Sequence, residues 1–116
     1  MRPKADIRRM IAQGQRWTLL DEGDDGLACR YHRPAGGVLY VVVGWGAGWD
    51  HVSVSRKNKT PTYQDMKLIK RAFFAEDEWA IEYHPPESKY ISVNDNVLHL
   101  WRPQEGGIPT PPEIMV

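Results

Sequence analysis

The run Val38-Leu39-Tyr40-Val41-Val42-Val43 constrains this chain more than any other segment. It is apolar throughout and rich in β-branched side chains, whose restricted rotamers suit an extended, pleated backbone. Pro34-Ala35-Gly36-Gly37 punctuates it on one side; on the other, Gly44, Gly46 and Gly48 alternate with Trp45, Ala47 and Trp49 and let the chain bend. Because it has no polar alternation, the run reads as a central strand covered on both faces. A sheet is therefore the frame into which the remaining segments must fit.

Flanking segments supply partners for that strand. Asp50 to Ser55 alternates, with Val52 and Val54 on one side and His51, Ser53 and Ser55 on the other. Leu27 to His32 pairs back on Trp17 to Leu20 across the acidic turn Asp21-Glu22-Gly23-Asp24-Asp25-Gly26. Glu78 to Tyr83 alternates as a strand stopped by Pro85-Pro86, and Tyr90 to Val93 forms a hairpin with Val97 to Trp101 around Asn94-Asp95-Asn96.

Helical periodicity occurs at two places. Ile7, Met10 and Ile11 mark a short amphipathic helix over Lys4–Gln13, with Gly14 as its stop. A longer helix runs from about Pro61 to Phe74, entered through Thr60-Pro61-Thr62, with Tyr63, Met66, Ile69 and Phe73 as its apolar stripe and Lys67, Lys70 and Arg71 toward water. The expected fold is α+β: an antiparallel or mixed sheet of about five to six strands, one main helix and a short N-terminal helix. Residues 1–103 make a single domain, and the proline-rich stretch 104–116 an extended arm.

Charge excludes rather than selects. Fifteen basic and fifteen acidic residues cancel over 116 positions, so no whole-chain field favours nucleic acid or an anionic membrane. The apolar stretch Val38 to Trp49 is too short to span a bilayer as a helix, so no membrane association is expected. The single Cys29 cannot form an intramolecular disulfide and reads as structural, which suits a reducing cytoplasm.

The candidate chemistry rests on imidazoles. His51, His84 and His99 fall in or beside strands, with Glu87 and Asp50 as neighbouring carboxylates. No tight spacing makes them a metal motif, so neither a metal nor another cofactor is expected, and the rings read first as hydrogen-bonded groups of the sheet surface. His51-Val52-Ser53-Val54 has the His-x-Ser form of two-histidine phosphoesterases, in which paired imidazoles act as acid and base; His51, Ser53 and His99 are the catalytic candidates, although Trp101 stands where the second hydroxyl belongs. Arg56, Lys57, Lys59, Lys67, Lys70 and Arg71 near Tyr63 offer contacts to phosphate, offset by Glu76, Asp77, Glu78 and Glu82, so nucleic acid is not favoured.

The blocks Trp49-Asp50-His51-Val52-Ser53-Val54-Ser55, His84-Pro85-Pro86-Glu87-Ser88-Lys89-Tyr90 and Leu98-His99-Leu100-Trp101-Arg102-Pro103, with the Pro61-Thr62 helix start and the Pro111–Val116 ending, resemble a family of small phage and prophage proteins. The resemblance covers residues from about 38 to 116 and implies action in the cytoplasm of a host bacterium, with no catalytic assignment to carry over. The expected function is binding of a host protein or a small anionic ligand through Trp49, His51, His84, Glu87, Tyr90, His99, Trp101 and Arg102, and a homo-oligomer is compatible with it. The alternatives are a metal-dependent or two-histidine hydrolase and a nucleic-acid-binding accessory protein.

Overall fold

The computed structural model describes residues 1–46, 49–74 and 91–103, without the side chains of residues 49, 91–94, 102 and 103. The expected strand Glu78–Tyr83, the candidates His84, Glu87 and Tyr90, and the stretch 104–116 lie outside the described residues. The elements are α1 (Lys4–Gln13), β1 (Trp17–Gly23), β2 (Gly26–His32), β3 (Val38–Trp45), β4 (Trp49–Arg56), α2 (Tyr63–Phe73), β5 (Ile91–Asn94) and β6 (Val97–Pro103).

All six strands join one antiparallel sheet in the order β1-β2-β3-β4-β6-β5. The first four form a meander. The chain then leaves through α2 and returns at the far edge, so that β6 folds back between β4 and β5. Asp95 and Asn96 turn that last hairpin with φ of 51° and 65°, the left-handed pair that a tight two-residue turn needs.

α1 begins and ends where its periodicity predicts, closed by the Gly14 N–H donating to the Met10 carbonyl. α2 starts at Tyr63, inside the expected Pro61 boundary. Thr62 is its N-cap because Asp65 stands three residues on: the Thr62 hydroxyl accepts from the Asp65 N–H, and the Asp65 carboxylate accepts from the Thr62 N–H. Both helices lie on one face of the sheet. Ile7 and Ile11 from α1, with Met66, Ile69 and Phe73 from α2, close over Leu27, Cys29, Leu39, Val41, Val43, Val52, Val54, Leu98 and Leu100. Burial pushes the Cys29 thiol up to about 12, consistent with an inert packing residue.

Three expectations need correction. Tyr63 does not belong to the core stripe of α2: it is exposed, and the Lys67 ammonium stands 5.6 Å from its ring centre. The acidic turn is shorter than the sequence suggests, because β1 and β2 stay paired as far as Gly23 and Gly26. β3 is not covered on both faces: Val41 is 1% exposed, whereas Val42 is 53% and Tyr40 42% exposed. The helices cover one side of the strand, and its apolar side chains on the other side reach solvent. Among the described residues no helix is long and apolar enough to cross a membrane.

Candidate functional site

The pairing of β4 with β6 assembles the histidines. Val52 and Val54 on β4, and Leu98 and Leu100 on β6, are fully buried beneath the helices, so strand alternation turns His51, Ser53, His99 and Trp101 to the opposite face. The register sets His51 across from Trp101 and Ser53 across from His99. His51 and His99 are thus diagonal neighbours, within reach of long or planar side chains.

The two imidazoles meet edge to edge. His51 Nε2 and His99 Nδ1 are 2.9 Å apart, the ring centres are 5.1 Å apart and the planes differ by 11°. The centre-to-centre distance is close to the N···N distance plus the two ring radii, so the nitrogens point at each other nearly within one plane. This is an imidazole–imidazole hydrogen bond: one ring donates and the other accepts. The other side of His51 is a true face stack, with its ring centre 3.9 Å from that of Trp101 and the planes 16° apart. Trp101 is itself buried.

Burial, reinforced by charge repulsion from His99, pushes the His51 imidazole down from 6.5 to about 4. The hydrogen bond has the same consequence, because two charged rings would place an N–H on each side of the contact. His51 is therefore a neutral, half-buried imidazole at neutral pH.

The arrangement limits what chemistry the pair can do. A two-histidine phosphoesterase needs its imidazoles on either side of a phosphoryl group; here the facing nitrogens are in direct contact and leave no space for one. Ser53 is half-buried beside them and makes no hydrogen bond to either ring. Among the described residues no three His, Cys, Asp or Glu side chains come together as a metal set. Asp50, named at the sequence level as a metal neighbour, is buried on the helix side and pairs with the α-ammonium of Met1 at 3.2 Å. Trp49 and Arg102 are placed by backbone register, opposite Pro103 and Asp50 respectively.

The structure adds residues that sequence reasoning missed. Alternation places Ala28 and Arg30 of β2 and Tyr40 and Val42 of β3 on the same face as His51 and His99. Arg30 Nε is buried without a hydrogen-bond partner, and no ion pair ties its guanidinium to a described residue. The signal was present in β2, where Leu27, Cys29 and Tyr31 alternate with Ala28, Arg30 and His32: a polar outer row there implies an uncovered outer row on the neighbouring strand.

Residues 41–105, more than half of the chain, match the model of a protein family described as a domain of unknown function (DUF7694). No curated protein and no solved structure matches.

Proposed function

The chain belongs to the DUF7694 family, whose description carries no activity, and we propose that it is a small non-enzymatic binding protein of phage or prophage type. It acts in the cytoplasm of a host bacterium and engages an acidic, partly apolar patch on a host protein. One observation carries this reading. The face turned away from the helices presents apolar Val42 and Tyr40, cationic Arg30, the His51–His99 pair and the hydroxyls of Ser53 and Ser55. The described outward positions of β2, β3, β4 and β6 carry no carboxylate; Asp21 of β1, across from Ala28, stands at the edge of this face.

An exposed apolar centre flanked by a guanidinium that pairs with no described residue suits an acidic protein surface, where the Arg anchors and the valine and tyrosine supply buried area. Arg30 at the centre of such a face favours carboxylates over basic groups. The free, buried Cys29 supports a reducing compartment.

The test is purification from bacterial cells of the wild type and of Val42→Asp, Arg30→Glu and Arg9→Glu, read by native mass spectrometry. An acidic protein held stoichiometrically by the wild type and by Arg9→Glu, but lost in the two sheet-face variants at an unchanged Tm, is the expected result. A homodimer through this face, retained nucleic acid, a bare monomer from susceptible cells, or a partner indifferent to the sheet-face substitutions would overturn it.

A further inference from the structure

We propose that the groove between α2 and the β1–β2 side of the sheet is a second binding site, for a small anion carrying a flat apolar ring. It lies on the helix-bearing side, across the core from the histidines, so it stands independently of the protein-binding face. Its volume is about 500 Å³, within the range of small-molecule sites.

One wall is aromatic. Trp17 of β1 and Tyr31 of β2 are cross-strand partners with ring centres 4.7 Å apart, and Trp17 is fixed from behind by an edge contact with Phe73 at 5.5 Å. The other wall is a face of α2 that the core does not use. Gln64, Lys67, Leu68 and Arg71 follow at i, i+3, i+4 and i+7, beside the buried stripe of Met66, Ile69 and Phe73. A half-buried Trp opposite a polar and cationic helix face makes a slot with a flat apolar side and a charged side.

The charge of the groove is one-sided. Among the described residues Arg33, Lys67 and Arg71 line it, against the single carboxylate of Asp65. That carboxylate is already engaged: Oδ1 accepts from Arg33 Nε at 2.9 Å, Oδ2 accepts from the Thr62 N–H at 2.9 Å, and Arg56 stands 4.0 Å away. Lys67 and Arg71 pair with no carboxylate among the described residues. Two exposed cations therefore line the groove, one of them a guanidinium able to grip a carboxylate or phosphate through paired hydrogen bonds. The indole and phenol supply the face on which a planar ring lies. A nucleotide and an aromatic carboxylate share this chemistry.

The experiment is a titration of the ¹⁵N-labelled full chain followed through the Trp17 indole N–H, with AMP and benzoate as the two anionic ring probes, adenosine and inorganic phosphate as the separated halves of AMP, and benzamide and acetate as the uncharged-ring and ringless counterparts of benzoate. Saturable shifts with AMP or benzoate, at least about tenfold tighter than with either half, are expected; the probe that binds identifies the source. The double variant Lys67→Glu/Arg71→Glu should weaken that binding about tenfold or more while the spectrum stays folded, and Lys67→Gln/Arg71→Gln repeats the test without charge reversal. No shift at millimolar probe, phosphate binding as tightly as AMP, or variants that bind as well as the wild type would each overturn the proposal.

Discussion

His51 offers the sharpest quantitative prediction. In the unfolded chain its imidazole takes up a proton near 6.5; in the folded protein it does not until about 4. Between those values the unfolded state binds more protons, so stability falls as pH falls through this window and changes no further on this account below it. At about 1.4 kcal/mol per unit the full gap corresponds to about 3 kcal/mol. The ring keeps partial access to solvent, which screens the charge, so the working figure is about 1–2 kcal/mol. Among the described residues, His99 on β6 opposes the charge and Gly44, the β3 partner of His51, brings no side chain; the Trp101 face stacked on the ring favours the cation in part, which also places the working figure below the full gap. Urea unfolding at closely spaced pH values, for the wild type and for His51→Phe, isolates the contribution, because the phenyl ring keeps a flat surface for Trp101 and removes the titration at this position; the hydrogen bond to His99 is lost with it, which lowers the variant's stability at the neutral end, so the comparison is of slopes with pH and not of absolute stability. The wild type should lose about 1–2 kcal/mol more than the variant between pH 6.5 and 4. Parallel curves, or an imidazole that titrates near 6.5 by NMR, would refute the reasoning.

Three further substitutions probe the fold. Val42→Thr should leave Tm within about 3 °C, because the side chain already meets solvent, whereas Val41→Thr buries a hydroxyl and should cost about 1–3 kcal/mol by urea denaturation; equal costs would mean that the outer face of β3 is covered. Thr62→Ala removes half of the α2 capping box and should cost about 0.5–2 kcal/mol, visible as lower Tm and faster amide exchange in the first turn. Arg33→Met strands the buried Asp65 carboxylate with its capping bond and the distant Arg56, and about 2–4 kcal/mol should be lost at pH 7.

Local order was legible wherever one residue type dominates the local physics. α1 could be read residue by residue because Ile7, Met10 and Ile11 alternate with charges and Gly14 ends the pattern. The start of α2 was not, because Thr60 and Thr62 both offer a hydroxyl on either side of Pro61, and the choice depends on Asp65 reciprocating from inside the helix. The exposed row of β3 escaped notice for a different reason. Its outward positions carry valine and tyrosine, so the strand's own sequence does not distinguish a covered face from one kept apolar for a partner; only its neighbour β2, with Arg30 and His32, bears on that.

The candidate site divides along the same line. That His51 and His99 each sit on the polar side of a strand follows from alternation alone, since Val52, Leu98 and Leu100 claim the other side. That the two rings touch depends on β6 entering beside β4 and on a register that a one-residue slip would destroy, sending every side chain to the opposite face. Long-range pairing of this kind is set by the whole core, and no short motif encodes it. The same core also separates the two surfaces proposed to bind. The groove is lined by the inward side of β1 and β2 and by α2, whereas the outer face is the other side of the sheet, and the two sites share no residue, although Arg30 and the groove-lining Tyr31 are neighbours on β2. Substitutions without shared partners act additively unless a common element couples them. Arg30→Glu combined with Lys67→Glu/Arg71→Glu should therefore lose both kinds of binding, each by the amount it loses alone. Any departure from additivity would mean that the sheet transmits strain between its faces, and that the two surfaces work as one device.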